Sequence, residues 1–341
     1  MKLSPDFLLE GPRGRRLCLE IALSLNPNAI RTVLFWPKSS PEELAAATAR
    51  LAAEIAKTNL SGATEQLIEH ALTRSVDTAK YWQEPDEEDN IAALPEIRKA
   101  LEPVAEHVLT SSEAAWWSRR RQDEQLVIDY EVQKPQPVEH DPRRNLETWG
   151  MDMRAEEVVA EVQPPQPPFT SYSNPWWSAP PRDMVSSVVD IPEGLELVEN
   201  SLYWDEALAI PISGTGATFE ITSADDWVAL CREFPLDVTA SRRHVWHSVT
   251  GRDGKWVMPD WELVAEKYSA VHLTVFGYLN AATRFLSVDS DTGTVLAGFD
   301  PDKTFWLQDV VREANKPRQH WKSAESLDED FEDEDFEDED Y

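Results

Sequence analysis

Apolar residues recur at helical spacing through the first 125 residues of the chain. Ser40 and Pro41 form a helix start, because a serine cap is followed by proline at the first helical position. The apolar positions of residues 45–56 then repeat every three or four residues, as on one face of a helix. Similar spacing predicts helices in residues 61–73 and 90–109. The pattern therefore predicts a mainly helical N-terminal domain.

Two other apolar runs in this part of the chain are ambiguous. Leu17–Leu25 fits a buried helix or a buried strand, since short apolar runs do not distinguish the two. Arg31–Trp36 resembles a short strand, or an aromatic insertion that ends at Pro37.

Residues 126–194 are rich in proline and predict a connector between two domains. The segments 133–142 and 163–168 are typical of extended linkers, and residues 146–162 between them predict an amphipathic helix. Trp176 and Trp177 are adjacent in a strip flanked by prolines. This strip either packs against a neighbouring domain or binds a partner.

Residues 195–315 predict a compact α+β domain. Ser223 is expected to cap a helix that ends near Phe234, and a second helix is expected in residues 259–268. The Gly214–Gly216 segment is interpreted as a hairpin turn. Short runs rich in β-branched and aromatic residues predict strands at Ala209–Ile212, Thr218–Ile221, Val271–Phe276, Thr294–Ala297 and Thr304–Leu307.

Residues 316–341 predict a disordered acidic tail. The last fourteen residues contain eleven carboxylates, and Phe331, Phe336 and Tyr341 are spaced five apart among them. Such a segment cannot bury enough apolar surface to offset its ordering entropy. The expected fold class is therefore α+β, with a helical N-terminal domain, a connector, an α+β C-terminal domain and a disordered tail.

The charge of the chain indicates its partners. The net charge is −31, and residues 325–341 carry twelve acidic groups and no basic ones, so the body is acidic as well. A body this negative is repelled by nucleic acids and by anionic lipid surfaces. A basic protein is the expected partner, bound through the acidic surface, through the three tail aromatics and through the Trp176–Trp177 strip.

Several observations favour a cytoplasmic protein. The chain has two distant cysteines, Cys18 and Cys231, which do not suggest a disulfide scaffold. No signal peptide and no apolar run of about 20 residues is visible. The sequence does not indicate an oligomeric state.

The densest cluster of basic residues is Arg242–His247. His244 and His247 have the spacing of a metal-binding pair, but further ligands are missing, so no metal site is assigned. The arginines suit an anion or phosphate, and they equally suit pairing with the many carboxylates of the chain. The basic segment Gly11–Arg16 offers phosphate binding or a contact with the acidic tail as further alternatives.

A catalytic alternative uses the same cluster. In the order typical of ADP-ribosyltransferase-like NAD sites, the candidate residues are Arg243, His244, His272 and Asp302. The late acid is aspartate where that class uses glutamate, and the triplet of hydroxyl residues is missing. Neither a dinucleotide-binding nor a P-loop motif is present, so a cofactor is not assigned.

Four strings resemble a group of uncharacterised actinobacterial proteins. They are GPRGRRLCLEIA from Gly11, YWQEPDEED from Tyr81, PWWSAPP from Pro175 and the region Asp237–Leu279, which contains DVTASRRHVWH, WVMPDWELVAEKY and VHLTVFGYL and is followed by GFDPDKTFWL from Gly298. The resemblance implies a cytoplasmic protein and carries no activity or catalytic residues. The sequence thus favours a non-catalytic interaction protein, with an enzyme acting on NAD or a nucleotide as the alternative.

Overall fold

The computed structural model describes residues 3–37, 40–134, 138, 141–162, 176–201 and 204–323. Helices and mixed sheets occur together, which confirms the α+β fold class. The tail aromatics Phe331, Phe336 and Tyr341 lie outside the described residues.

The helices begin where the sequence supplies caps. Side chains of Ser40, Thr64, Asp86 and Ser223 accept hydrogen bonds from backbone N–H groups of the first turns. The α-helices of the described residues are α1 (Pro5–Glu10), α2 (Pro12–Leu25), α3 (Pro27–Leu34), α4 (Pro41–Ile55), α5 (Glu65–Asp77), α6 (Glu87–Ala93), α7 (Pro95–Ala100), α8 (Glu102–Thr110), α9 (Pro142–Val162), α10 (Glu193–Glu196), α11 (Ala224–Glu233), α12 (Thr239–Thr250), α13 (Trp261–Lys267) and α14 (Val275–Ala281).

The strands form two sheets. They are β1 (Glu124–Asp129), β2 (Ser186–Val188), β3 (Glu206–Gly214), β4 (Thr218–Ile221), β5 (Pro235–Asp237), β6 (Lys255–Pro259), β7 (Ala270–Leu273), β8 (Leu286–Ser287), β9 (Thr292–Thr294), β10 (Lys303–Trp306), β11 (Val311–Glu313) and β12 (Gln319–Lys322). The larger sheet has the order β11-β3-β1-β2-β10-β7-β4, and β12 also pairs with β3. The smaller sheet has the order β5-β6-β9-β8. In the larger sheet only the β4–β7 pair is parallel among the described strands.

One large hydrophobic core joins the N-terminal helices to the sheets. It extends along the chain from Leu8 to Leu307, and α14 packs against α1 and α2. A smaller core, around Ile210 and Trp306, lies against β3 and β10. The predicted domain boundaries stay a prediction, but the helical part does not have a separate core.

Several sequence predictions are confirmed. Helices α4, α5, α9 and α11 lie where they were expected, and residues 90–109 form helices that restart near the two prolines. Leu17–Leu25 is helical, and both cysteines are buried free thiols. None of the helices in the described part of the chain is long and apolar enough to cross a membrane.

Five predictions are wrong. The strand expected at Thr294–Ala297 is displaced, because β9 covers Thr292–Thr294 and the chain leaves the strand after it. The strand expected at Arg31–Trp36 is not formed, because residues 31–34 are the last turn of α3. This helix begins at Pro27 with Asn26 as its cap, and the aromatic residues after it do not indicate a helix. The strand expected at Val271–Phe276 ends at Leu273, where Thr274 caps α14. Gly214–Gly216 is not a hairpin turn, because β3 and β4 are not neighbours in the sheet. Residues 319–322 form β12 on the edge of β3, so the predicted tail starts too early.

Candidate functional site

The Trp176–Trp177 strip packs against the folded body. The Ser178 N–H donates a 2.9 Å hydrogen bond to the Ala297 carbonyl, and the Trp246 indole donates to the Trp176 carbonyl at 3.0 Å. Gly298 has φ +74°, and a side chain there would come within 3.1 Å of both tryptophans. The strip is therefore fixed, while the Trp176 ring stays half-exposed.

The Trp176 ring forms one wall of a cavity of about 990 Å³. It stacks on Tyr81 with ring centroids 5.3 Å apart, and Trp82 lies against it at 5.2 Å. On the other side, Tyr130 and Trp204 contact each other at 6.3 Å. The remaining lining residues include Ala79, Glu131, Val132, Gln133, Lys134, Arg182, Leu195, Val198, Glu199, Asn200, Ser201, Asp205 and Glu206.

A short loop carries Glu199 into this cavity. The Glu199 N–H donates to the Asp300 carboxylate at 2.9 Å. The next two residues are attached to the end of α5, because Asn200 and Ser201 donate to the backbone and side-chain oxygens of Asp77. Asn200 has φ +46°, a conformation that asparagine tolerates better than most residues. The loop is thus held from both sides, and this fixes the position of the Glu199 side chain.

The Glu199 carboxyl is buried and incompletely satisfied. The Tyr81 hydroxyl donates a short hydrogen bond to Oε1, and the Tyr278 hydroxyl also interacts with the carboxyl, although no well-formed hydrogen bond reaches the buried Oε2 among the described residues. Burial, together with the nearby Asp300 carboxylate, raises the pKa of Glu199 to about 8. The group is therefore mostly protonated at neutral pH.

The charges next to Glu199 are only partly balanced. Asp300 pairs with Lys303, which neutralises the nearest carboxylate. The lining also contains the acidic residues Glu131, Asp205 and Glu206 and the basic residues Lys134 and Arg182, and Glu206 lies 3.7 Å from Lys322. Aromatic faces attract cations, and a carboxylate binds the planar guanidinium group with two hydrogen bonds. The cavity therefore has the chemistry of a site for a cationic group.

His272 and Asp302, two of the predicted catalytic residues, lie together elsewhere in the larger sheet. Nδ1 of the fully buried His272 is 2.8 Å from Glu220, and Nε2 is 3.6 Å from Asp302. Arg119 donates to Asp302 at 3.0 Å. Burial alone would lower the pKa of His272, but the contacts with Asp302 and Glu220 outweigh it, so the pKa is raised. The imidazole is buried between these two carboxylates, and its Nε2 makes no hydrogen bond among the described residues.

The Arg242–His247 cluster lies on α12. Arg242 is buried and pairs with Glu156 of α9 at 3.3 Å, and Trp246 is in the core. Arg243 and His244 are adjacent on the outer side, where Arg243 Nε is 3.4 Å from His244 Nε2. Burial and the charge of Arg243 lower the pKa of His244. The four catalytic candidates thus occupy two different elements, α12 and the larger sheet, rather than one described cavity wall.

No protein-family description, curated protein or solved structure matches this chain. The resemblance to actinobacterial proteins therefore stays a prediction. Within the described ranges, no group of three or more His, Cys, Asp or Glu side chains is arranged to hold a metal ion.

Sequence reasoning identified Trp176. It also interpreted Tyr81 and Trp82, beside the acidic run Asp86–Asp89, as part of a solvated loop or as a second contact for a basic partner, but it missed the rest of the cavity. Tyr81, Tyr130, Glu199 and Trp204 come from distant segments, and no local pattern connects them. The one available signal for Glu199 was that it directly follows the apolar pair Leu197 and Val198.

Proposed function

We propose that this protein is a non-catalytic interaction protein that binds a basic partner, and that its aromatic cavity receives an arginine side chain of that partner. Arginine suits the cavity better than lysine, because its planar group stacks on aromatic rings and matches a carboxylate. The guanidinium would lie against the aromatic lining beside Trp82 and Trp204, and Glu199 would accept its hydrogen bonds.

The observation that carries this proposal is the buried Glu199 carboxyl at the cavity, whose Oε2 makes no well-formed hydrogen bond among the described residues. An unsatisfied buried acceptor costs free energy, which a bound donor would recover. Because Glu199 is mostly protonated at neutral pH, an arriving guanidinium would take the place of its proton. Binding would therefore release a proton and strengthen as the pH approaches 8.

The acidic character of the chain supports the same proposal. A net charge of −31 speeds the encounter with a basic protein and disfavours nucleic acid. The tail residues 325–341 would add further contacts through their carboxylates and aromatics. We place this interaction in the cytoplasm, consistent with the two free thiols.

The test is a titration with two short blocked peptides, Gly-Arg-Gly and its citrulline analogue, which has the same shape without the charge. Tryptophan fluorescence reports binding, because Trp82, Trp176 and Trp204 line the cavity. We expect the arginine peptide to bind at least about tenfold more tightly than the citrulline peptide.

Glu199→Gln provides the decisive variant, since it keeps the shape of the side chain and removes its charge. We expect it to abolish the preference for arginine. Glu147→Gln, which changes an exposed carboxylate on α9, is the matched control and should leave the preference intact. Equal binding of both peptides by the wild-type protein would contradict the proposal.

A further inference from the structure

A second cavity, of about 190 Å³, lies between the N-terminal helices and the segment after α14. Four cationic side chains line it: Arg13, Arg15, Lys80 and Arg284. In a chain with a net charge of −31, a convergence of four cations is unexpected unless something compensates them.

The acidic residues at this cavity are largely engaged elsewhere. Asp89 pairs with buried Arg13, and Asp86 accepts two hydrogen bonds from Arg16, at 2.9 and 3.0 Å. Asp86 also caps α6. The exposed Glu84 is the other carboxylate that lines the cavity. Asp89 and Asp86 therefore compensate Arg13 and Arg16, Glu10 partly compensates Arg284 at 3.8 Å, and Arg15 and Lys80 have no close carboxylate among the described residues.

Arg15 and Arg284 are incompletely paired. Among the described residues, Arg15 donates to the carbonyls of Leu9 and Glu10, and its buried Nε has no hydrogen-bond partner. Arg284 is 3.8 Å from Glu10, beyond hydrogen-bond distance, and its Nε is also buried and unpartnered. Burial and the charge of Arg98 lower the pKa of Arg15 to about 10, with Arg284 contributing.

The backbone next to Arg284 is strained. Thr283 has φ +61°, a left-handed conformation that is rare for a β-branched residue. Such strain persists only where the surroundings enforce it, and it concentrates at functional sites. Thr283, Arg284 and Phe285 all line this cavity. The Arg252 guanidinium lies over the Phe285 ring, 4.0 Å from the ring centroid.

We propose that this cavity binds a small oxyanion of the phosphate class between Arg15 and Arg284. Arginine forks match phosphate oxygens with paired hydrogen bonds, and Lys80 adds a cation at the mouth. The site is separate from the aromatic cavity and does not depend on the function proposed above.

The test is a titration of the full-length chain with inorganic phosphate at low ionic strength. Line broadening of the phosphate signal in ³¹P NMR spectra reports the binding. We expect saturable binding that weakens with added salt. Arg284→Ala should weaken it at least about tenfold, and Arg284→Lys should weaken it several-fold, because the charge stays while the fork is lost.

Two comparisons keep the result interpretable. Arg318→Gln removes an exposed arginine that pairs with Glu313 and should leave the phosphate affinity unchanged. Thermal melts establish whether each variant is folded. If Arg284→Ala is not folded, Arg284→Lys replaces it as the test variant. Unchanged phosphate affinity in the folded Arg284 variants, or no saturable binding by the wild-type chain up to about 20 mM phosphate, would overturn the proposal.

Discussion

Glu199 and His272 are both buried titratable side chains near the larger sheet, yet their surroundings differ in one decisive way. His272 lies between two carboxylates, one of which is paired with Arg119. Glu199 is bordered by the Tyr81 and Tyr278 hydroxyls and the Asp300 carboxylate, carries no charge while it is protonated, and lines a cavity. Removing one member of a buried ionic cluster leaves an uncompensated charge, whereas a protonated carboxyl at an opening can give up its proton when a cationic ligand binds. The difference separates a structural site from a binding site.

The largest expected effect is on stability, at His272. His272→Ala leaves the carboxylates of Glu220 and Asp302 without their shared partner, so we expect the free energy of unfolding to fall by about 3 to 5 kcal/mol. Urea unfolding measures this change in the free energy of unfolding. His320→Ala, which changes a half-exposed histidine near Glu206, should cost less than about 1 kcal/mol. A loss at His272 no larger than that of the control would show that the network is not structural.

The second effect is the pH dependence of stability at Glu199. Its folded-state pKa of about 8 lies above the ordinary value of 4.5, so the folded state keeps a proton that the unfolded state loses. Stability should therefore fall as the pH rises from about 4.5 to 8. At about 1.36 kcal/mol for each pKa unit, Glu199→Gln should gain about 2 to 4 kcal/mol relative to the wild type between pH 4.5 and 7.5.

Urea unfolding across this pH range provides the measurement, with Glu147→Gln as the control. Parallel pH profiles for Glu199→Gln and the wild type would contradict the raised pKa. The pKa of His272 is raised in the folded state. Its contribution to stability is therefore fully present below pH 6.5, the ordinary pKa of histidine, and is lost as the pH rises through the folded-state pKa.

The third effect is on affinity, at the aromatic wall. Trp82→Ala removes a half-exposed ring that contacts Trp176, so we expect the arginine peptide to bind about 1 to 2 kcal/mol more weakly. The fluorescence or NMR titration of the peptide measures it. Phe35→Ala, at an aromatic residue that is 76% exposed, is the control and should not alter the affinity. Equal affinities of the Trp82→Ala and Phe35→Ala variants for the arginine peptide would show that Trp82 is not part of the binding site.

The smallest effect concerns the tail. A chain that ends at Ala324 lacks twelve acidic groups and should bind a polybasic peptide about threefold to tenfold more weakly at low ionic strength. The difference should vanish at high salt, and binding of the single-arginine peptide should not change. An unchanged affinity for the polybasic peptide would limit partner binding to the folded body.

Local signals predicted much of the fold and little of the site. Ser40 with Pro41, and Ser223, carry caps that act within one turn, so α4 and α11 were predictable. The place of β4 beside β7 depends on long-range pairing, which no turn motif at Gly214 reveals. The aromatic cavity assembles Tyr81, Trp176 and Glu199 from separate segments. The burial that shifts the pKa of Glu199 exists only after folding.

The most direct test of the account is isothermal titration calorimetry of the arginine peptide at pH 7 in two buffers that differ in ionisation enthalpy. The account predicts the release of close to one proton for each peptide bound, because a group with a pKa of about 8 is mostly protonated at pH 7 and loses its proton to the guanidinium. Glu199→Gln should release none. Binding without proton release, at an affinity that Glu199→Gln does not change, would contradict the claim that the cavity and Glu199 receive the cation.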